Sequence, residues 1–312
     1  MSLYVVVSGG SGALPFTVVP SGEQVASKEV PERIELILAG LLDGGAVLAP
    51  AGGRGLGRAE RLVAEVHEAA FLDHLRGGVP VGADSAVDHA FAAPGLEQET
   101  PITRDIWATA LAAAAAAVRA AELTARQNVH GYALVRPPGH HAGPGWHGGY
   151  CFLNNTVVAA RTLREEGAAR VGILDLDYHL GNGTLACVAG DPTLPYASVH
   201  SADPVDFPYR FAPAPGLFGV RGAPGTDGYL ALVKDAVSHL RRETVDALVV
   251  SVGYDVLRGD PYGSWSLPPE VFGPVAALVA GQRLPTVFVQ EGGYGLPSLR
   301  GAARALALEV TR

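Results

Sequence analysis

The sequence predicts an α/β fold in which a central, mostly parallel β-sheet carries helices on both faces. Short apolar runs alternate along the chain with helix-length amphipathic segments, which is the pattern of parallel strands joined by helices. Several of the runs are apolar throughout rather than at alternate positions, as in strands that are buried on both faces. With 312 residues, of which 48% are hydrophobic, the chain can bury one large core. We therefore expect a single domain over residues 1–312.

The predicted elements follow from these runs and from helix start signals. Strands are predicted at residues 3–7, 46–49, 131–135, 171–177, 196–200, 247–252 and 286–290. Helices are predicted at residues 31–42, 58–75, 106–126, 155–166, 227–242, 269–281 and 297–310. Pro31 and Pro297 fall in the first turn of two of these helices, where proline is tolerated. Two stretches rich in proline and glycine, 77–101 and 201–226, are predicted as long loops of the kind that shapes the rim of an active site.

The composition argues against several classes of protein. A net charge of −8 argues against nucleic-acid binding, because phosphate contacts need a basic surface. The two cysteines, Cys151 and Cys187, provide neither a disulfide framework nor a Cys-x-x-Cys zinc site. The N-terminus does not resemble a signal peptide, and charged residues flank the alanine-rich run at 112–117, as in a helix of a soluble protein. We expect a cytoplasmic protein with no nucleic-acid or membrane partner, and a homodimer is compatible with the sequence.

Three ionisable residues at the end of the predicted strand 171–177 suggest a metal site. Asp175, Asp177 and His179 occupy alternate positions, and residues two apart in an extended strand point to the same side. Two carboxylates and an imidazole are costly to bury together unless something binds them. Asp-x-His supplies oxygen and nitrogen ligands that suit zinc or a similar ion. The alternative, a salt-bridged strand end, is common for one carboxylate but not for three such groups in register.

Polar sequences follow five of the predicted strands, which points to one assembled site. In chain order these sequences are R-P-P-G-H-H-A, D-Y-H-L-G-N-G, S-V-H-S-A-D, G-Y-D-V-L-R-G-D-P and Q-E-G-G-Y-G. The carboxyl ends of parallel strands share one edge of a sheet, and ligands bind in the crevice at that edge. We therefore expect the five segments to meet there.

The segments contain further candidates for catalysis. His140 and His141 are candidates for general acid–base catalysis. Without the other motifs, these two residues would be interpreted as a surface pair in a loop. Either Asp255 or Asp260 is suited to be a third metal ligand, and the other would cap a turn. Tyr294 lies among glycines and could donate its hydroxyl to a developing oxyanion, or else pack over the end of the sheet.

These motifs resemble the histone deacetylase superfamily and, within it, the branch of bacterial acetylpolyamine amidohydrolases and class II-like histone deacetylases. The matching blocks are R-P-P-G-H-H-A at 136–142, G-Y-C-F-L-N-N at 149–155, D-L-D-Y-H-x-G-N-G-T at 175–184, S-x-H at 198–200, G-Y-D-x-x-x-G-D-P at 253–261 and E-G-G-Y at 291–294. The resemblance implies the arginase–deacetylase fold. It also implies a zinc-dependent amidohydrolase that removes acetyl or other acyl groups from N-acetylated amines, such as acetylpolyamines or the acetyl-lysine of a peptide.

The resemblance assigns roles to individual residues. The implied zinc ligands are Asp177, His179 and Asp260, and iron or cobalt could replace zinc at such an oxygen-rich site. The implied catalytic residues are His140, His141, Tyr294, Asp175 as the partner of the first histidine, and Asn182 as the partner of the second. A structural potassium ion is implied at Asp175, Ser198 and the carbonyl of Val199. The implied substrate-binding residues are Gly149, Tyr150 and Phe207 in the tunnel wall, with Glu97 and Glu99 as rim acids.

One departure from the family pattern supports an alternative function. Leu180 stands where the family usually has a second histidine directly after the metal ligand, which removes a polar group from the surroundings of the metal. The alternative is a non-catalytic, deacetylase-like binding module that retains the metal. A ureohydrolase on the same fold would need two metals and more aspartates than these motifs contain.

Overall fold

The computed structural model describes residues 1–9, 14–18, 23–50, 55–79, 85–86, 90–94, 100–209 and 211–312. Within these ranges the strands are β1 (Leu3–Val7), β2 (Phe16–Val18), β3 (Gln24–Ala26), β4 (Val47–Leu48), β5 (Ser85–Ala86), β6 (Ile102–Thr103), β7 (His130–Leu134), β8 (Val171–Asp175), β9 (Tyr196–Ser201), β10 (Leu217–Val220), β11 (Ala247–Val252) and β12 (Thr286–Gln290). The helices are α1 (Glu32–Asp43), α2 (Gly55–Val66), α3 (Ala69–Gly77), α4 (Ile106–Gln127), α5 (Asn155–Glu165), α6 (Asn182–Cys187), α7 (Gly225–Arg242), α8 (Phe272–Ala280) and α9 (Leu296–Val310). A 3-10 turn, Pro269–Val271, precedes α8.

Eight strands form one parallel sheet in the order β10-β9-β8-β11-β12-β7-β1-β4. Every neighbouring pair in this sheet is parallel. Two small antiparallel pairs, β2–β3 and β5–β6, lie outside it. The predicted fold class is confirmed, and the parallel arrangement places the carboxyl ends of all eight strands along one edge.

Two apolar layers cover the two faces of the sheet. Successive side chains of β8 illustrate the division, because a strand points neighbouring residues to opposite faces. Ile173 is buried in the layer formed with α2, α3, α4 and α5. Leu174 is buried in the other layer, which contains α1, α7, α8 and α9. Strands β7, β8, β9, β11 and β12 are buried along their whole length, which explains the uninterrupted apolar runs at 247–250 in β11 and 287–289 in β12.

Helix α4 is the alanine-rich helix of the first layer. By length and composition alone it could cross a membrane, as no other helix within the described ranges could, but 67% of its most apolar 18-residue window is buried inside the protein. Its small side chains allow close contact with β7. A Cβ atom at Gly131 would lie 2.7 Å from both the carbonyl oxygen of Ala120 and the hydroxyl of Thr124. The apolar composition of α4 therefore reflects packing in the core.

The predicted helix at 58–75 is wrong in one respect, because the structure has two helices there. Helix α2 ends at Val66 and α3 begins at Ala69. Between them the ring of His67 bonds to the carbonyl of Gly143, and the backbone N–H of Glu68 donates to the carbonyl of Pro144. These tertiary contacts divert the chain from a continuous helix, and no local pattern in the sequence signals them.

Strand β10 and helix α6 were not predicted from the sequence. Strand β10 lies inside the stretch 201–226 that was predicted as a loop, and it pairs with β9 through Leu217 opposite Ser198. It is an edge strand with only partly buried side chains, so its sequence carries a weak strand signal. The short helix α6 was also not predicted. By contrast, β1, β11 and β12 have the predicted bounds.

Candidate metal centre and active site

A cavity of about 330 Å³ lies at the carboxyl edge of the sheet. Segments that follow β7, β8, β9, β11 and β12 contribute to its lining, as the polar strand ends predicted. Its central side chains are His140, His141, Asp177, His179, Asp255 and Tyr294. The structure therefore brings together groups that lie more than 150 positions apart in the chain.

Three of these residues form a cluster that could hold a metal ion. One ligand atom each from Asp177, His179 and Asp255 lies within 4.8 Å of the other two. The Nδ1 atom of His179 is 3.3 Å from Oδ1 of Asp177 and 3.1 Å from Oδ2 of Asp255. Two carboxylates and one imidazole are the donors expected of a catalytic zinc site that leaves a position open for water. The donor set and its spacing fit a divalent ion.

The candidate third ligand in the structure is Asp255, which corrects the choice of Asp260 made from the resemblance. The carboxylate of Asp260 accepts backbone N–H bonds from Tyr262 at 2.9 Å, from Tyr294 at 2.5 Å and from Gly295 at 2.9 Å. It therefore joins the segment after β11 to the segment after β12 and lies outside the metal cluster. The sequence had left both aspartates open, and the choice of Asp260 by resemblance was wrong.

Strand β8 ends at Asp175, two residues earlier than predicted. Asp177 and His179 therefore do not converge through strand alternation, as the sequence analysis assumed. They lie in a turn in which the N–H of Asp177 donates to Oδ1 of Asp175 and the N–H of His179 donates to Oδ1 of Asp177. These side-chain-to-backbone bonds are typical of Asp-initiated turns. The turn, rather than the strand, aims both metal-site residues into the cavity.

A glycine at the end of β12 makes room for the cluster. The N–H of Gly292 donates to Oδ2 of Asp177 at 2.8 Å. A Cβ atom at this position would lie 2.6 Å from Oδ2 of Asp177 and 2.7 Å from Oδ2 of Asp255. Because the backbone approaches both carboxylates this closely, only glycine fits at position 292.

Each of the two adjacent histidines has a different partner. Nδ1 of His140 lies 3.2 Å from Oδ2 of Asp175, and Nδ1 of His141 lies 2.7 Å from Oδ1 of Asn182. An amide oxygen can only accept, so Nδ1 of His141 carries the proton and Nε2 keeps its lone pair. Asp175 and Asn182 thus occupy the positions that the resemblance implied for them.

The surroundings of the two histidines shift their pKa values in opposite directions. Burial lowers the pKa of His140, but the carboxylates of Asp177 and Asp175 outweigh burial and raise it to about 10. Burial lowers the pKa of His141 well below its usual value, and the positive charges of His140 and His179 lower it further. In the metal-free protein His140 is therefore an imidazolium and His141 a neutral imidazole. Two titratable groups with diverging pKa values are a common feature of acid–base sites.

Tyr294 lines the cavity on a loop that a buried arginine holds in place. Burial raises the pKa of the Tyr294 phenol well above its usual value, so the hydroxyl remains a proton donor at neutral pH. The guanidinium of Arg33 lies 4.4 Å from the centre of the Tyr294 ring. Its Nε atom donates to the carbonyl of Gly293 at 2.6 Å, and its Nη2 atom donates to the carbonyl of Glu291 at 2.7 Å. Arg33 was not predicted as a site residue, because it precedes this loop by about 260 positions.

A second group of potential metal ligands consists of His140, Cys151 and Glu291, of which His140 also lines the cavity. Here the carboxylate already has donors. Oε2 of Glu291 accepts from the backbone N–H of Gly139 at 2.7 Å and of His140 at 3.0 Å, and Oε1 accepts from the hydroxyl of Thr156 at 3.0 Å. Burial also raises the pKa of the Cys151 thiol well above its usual value, which disfavours the thiolate that binds metals. This group therefore holds the backbone of the histidine pair rather than an ion.

The residues predicted to bind substrate differ in outcome. Gly149, Tyr150 and Phe207 line the cavity, and the ring of Phe207 lies 4.8 Å from that of His141. Glu97 and Glu99 lie outside the residues that the structure describes. Other lining residues were not predicted from the sequence, among them the polar residues Asp206, Tyr209 and Tyr262. Asp206 and Tyr209 flank the Phe207 that was predicted, and this proximity was the only signal for them.

The residues implied for potassium lie near one another. Asp175 at the end of β8 pairs in register with Ser198 of β9, and Val199 follows in the same strand.

Leu180 does not face the group formed by Asp177, His179 and Asp255. It is fully buried in the apolar layer that contains α5. Tyr196, which belongs to the same layer, donates its hydroxyl to Oδ2 of Asp175 at 2.9 Å. Leu180 therefore contributes to the core beside the site.

Comparisons with known proteins show the family to which the chain belongs. The histone deacetylase domain model matches residues 27–310. Acetylpolyamine amidohydrolase 1 of Pseudomonas aeruginosa is 32% identical over 308 residues, covering 87% of this chain and 88% of the relative. Acetylpolyamine amidohydrolase of Mycoplana ramosa is 30% identical over 322 residues, covering 91% of this chain and 92% of the relative. The crystal structure of the acetylpolyamine aminohydrolase from Burkholderia pseudomallei superposes with a TM-score of 0.84 at 29% identity, covering 98% of this chain and 97% of that chain. The chain therefore belongs to the histone deacetylase family, in its bacterial acetylpolyamine amidohydrolase branch, and has the arginase–deacetylase fold.

Proposed function

We propose that this protein is a zinc-dependent amidohydrolase that releases acetate from N-acetylated amines, with acetylated polyamines as the preferred class. The observation that carries the proposal is that the Asp177, His179 and Asp255 cluster and the His141–Asn182 pair line the same cavity. The names of the relatives, which describe acetylpolyamine amidohydrolases, support the choice of substrate class.

A zinc ion at Asp177, His179 and Asp255 would polarise the amide carbonyl and lower the pKa of a water molecule. The protein's own groups handle the protons. Nε2 of His141 is free to accept a proton from the attacking water, because its Nδ1–H is committed to Asn182. The same proton can then be delivered to the amine as the C–N bond breaks. The products are acetate and a free amine.

Two further groups respond to the charge that develops on the carbonyl oxygen. The hydroxyl of Tyr294 remains protonated and can donate a hydrogen bond to that oxygen. The ring of His140, which Asp175 orients, adds a positive charge beside His141 when it is protonated. Burial excludes water from these groups, so that both interactions are stronger than they would be in solution.

The experiment that tests this function is acetate release with the metal content measured. Protein loaded with one equivalent of zinc is incubated with a panel of N-acetylated amines that includes N-acetyl-1,4-diaminobutane and an acetyl-lysine peptide. We expect turnover of the diamine and loss of that turnover after chelation, with recovery on adding zinc, cobalt or ferrous iron. Full activity of chelator-stripped protein would contradict the metal dependence. A zinc-loaded protein that binds the amides without releasing acetate would instead be the non-catalytic binding module.

We also propose a structural potassium ion bound by Asp175, Ser198 and the carbonyl of Val199. The support is the register of β8 and β9, which brings the first two side chains together. Replacing potassium by the larger tetramethylammonium ion during zinc-loaded assays should lower activity and thermal stability together. Unchanged stability without potassium would argue against this site.

A further inference from the structure

Among the described residues that line the cavity, one carboxylate has no role in the mechanism. Asp177 and Asp255 belong to the metal cluster, whereas Asp206 lies on the segment after β9. No lysine or arginine is among the described residues that line the cavity. Within the described part of the cavity wall, Asp206 therefore has no cationic side chain beside it.

Asp206 is held rigidly through one of its two oxygens. The hydroxyls of Tyr178 at 2.6 Å and of Ser201 at 2.5 Å both donate to Oδ2. Tyr178 is itself fixed, since its hydroxyl lies 2.9 Å from that of Ser264 and its backbone N–H donates to Oδ1 of Asp255. No hydrogen bond to Oδ1 of Asp206 is present among the described residues. The arrangement orients the carboxylate and leaves one oxygen available to a ligand.

The position of Asp206 in the chain places it where the cavity wall meets solvent. Val205, the preceding residue, is 82% exposed, whereas Phe207, the following residue, is 8% exposed. The ring of Phe207 lies 4.8 Å from His141 on the inner side and 5.7 Å from Tyr209 on the other. A substrate chain that reaches the metal cluster past Phe207 would therefore pass Asp206 near the entrance.

We propose that Asp206 is a specificity-determining residue that binds the protonated second amino group of an acetylated diamine or polyamine. This inference rests on the proposed function, because it concerns the part of the substrate that extends from the scissile amide. A fixed carboxylate with a free oxygen complements an ammonium group, and pre-orientation lowers the entropic cost of binding it. The aromatic rings of Phe207 and Tyr209 suit the methylene chain and also attract a cation.

A purely structural role for Asp206, in which it only anchors the loop through Tyr178 and Ser201, makes a different prediction. An anchor would affect charged and neutral substrates equally, whereas a recognition group would affect only the charged one. The decisive quantity is therefore the ratio of kcat/KM for N-acetyl-1,4-diaminobutane to that for N-butylacetamide, a neutral amide of similar length.

The experiment compares this ratio in the zinc-loaded wild type, Asp206→Asn and Asp203→Asn. Asp203 is a matched control, because it is three residues away on the same loop and does not line the cavity; its Oδ2 accepts from the N–H of Gly222. A charge-assisted hydrogen bond of this kind corresponds to roughly a 10- to 100-fold preference. We expect the wild type to prefer the diamine by that factor, Asp206→Asn to lose the preference through a higher KM, and Asp203→Asn to keep it.

The remaining outcomes separate this proposal from the proposed function. A wild type that hydrolyses both amides without preference, or an Asp206→Asn protein that retains the preference, would overturn the role of Asp206 and leave the deacetylase function standing. If Asp206→Asn does not fold, the wild-type preference should fall as sodium chloride rises from 50 to 500 mM, and a salt-independent preference would overturn the proposal. If neither amide is hydrolysed, the proposed function fails. Calorimetric binding of 1,4-diaminobutane to wild type and Asp206→Asn then decides the role of Asp206, since equal affinities would exclude it.

Discussion

Oδ2 of Asp255 lies 3.1 Å from Nδ1 of His179, although 76 positions separate the two residues in the chain. The contact exists because β8 and β11 are neighbours in the sheet and both end at the same edge. Asp260, five residues later, turns its carboxylate to the backbone of the β12 loop instead. The motif G-Y-D-V-L-R-G-D-P therefore contains two aspartates with different roles. Asp255 is a candidate metal ligand, and Asp260 anchors the loop after β12.

The first prediction contrasts these two aspartates. Asp255→Asn should weaken zinc binding by more than the 10- to 100-fold that loss of an outer partner typically causes, because it removes a charged ligand. Asp260→Asn should retain one zinc per chain and lose activity only through displacement of the Tyr294 loop. Metal titration with a competing chelator measures both affinities. Loss of zinc from Asp260→Asn with retention in Asp255→Asn would identify Asp260 as the metal ligand instead.

The second prediction concerns the His141–Asn182 pair. His141→Ala should lower kcat by roughly 10²- to 10⁴-fold, because it removes the group that accepts the proton of the attacking water. Asn182→Ala should have a smaller effect, about 10-fold, since it releases the imidazole without removing it. Zinc content should remain at one per chain in both proteins. His239→Ala, which changes a half-buried histidine on α7, is the control and should retain full kcat; an active His141→Ala protein would remove this residue from the mechanism.

The third prediction tests the hydroxyl of Tyr294. Tyr294→Phe should lower kcat by about 10²- to 10³-fold while KM and zinc content stay close to wild type, because the hydrogen bond to the oxyanion forms only in the transition state. Tyr262→Phe is a matched control, since its hydroxyl bonds to that of Tyr150 at 2.7 Å. Steady-state kinetics at saturating zinc measure both variants. Equal losses of kcat in the two proteins would indicate a general effect of removing hydroxyls from the cavity.

The fourth prediction links stability to pH through His67. Burial lowers the pKa of His67 to about 4, and its Nε2 atom accepts the N–H of Asn154. The ring is therefore neutral in the folded state. Between pH 6.5 and about 4 the unfolded chain binds more protons than the folded one, and stability therefore falls as the pH decreases through this window. The contribution is roughly 3 kcal/mol. Urea unfolding at pH 7 and pH 4 should show a smaller difference for His67→Gln than for wild type, and equal differences would contradict this assignment.

The fifth prediction concerns a buried ion cluster beneath the Tyr294 loop. Glu29 is paired with Arg33 at 2.6 Å and with Arg136 at 2.7 Å, and all three side chains are buried. Glu29→Ala would leave two arginines buried without their shared counter-charge, which should lower the free energy of unfolding by about 3–5 kcal/mol. Glu32→Ala, an exposed position on α1, should change it by less than about 0.5 kcal/mol. Chemical denaturation measures the free energy of unfolding of both variants. A Glu29→Ala protein as stable as wild type would show that water solvates the two arginines after the substitution.

The local parts of the site could be predicted because neighbouring residues in the chain carried enough chemistry. The apolar run before Asp175 indicated a buried strand, and the parallel pattern placed its end beside those of four other strands. The pairing of His140 with Asp175 and of His141 with Asn182 followed from the family resemblance and agrees with the geometry. The predicted location of the site depended on strand ends meeting at one edge, which holds for any parallel sheet.

The predictions that were wrong or missing concern contacts between residues that lie far apart in the chain. Asp255 and Asp260 are both acidic and follow the same strand, and only the direction of each side chain distinguishes them. The break at His67 depends on bonds to Gly143 and Asn154, about 80 positions away. Arg33 likewise acts on a loop that follows the last strand of the sheet.

The sequence by itself determined the fold class, the edge of the sheet where the site lies, and the types of side chain that meet there. Periodicity and composition suffice for this, because burial of apolar strands and helices follows from the pattern of the chain. Only the tertiary structure decided which aspartate faces His179, which groups hold Tyr294, and that Asp206 lies in the cavity wall. Those choices depend on side-chain directions and on contacts between segments, which are set when distant parts of the chain pack together.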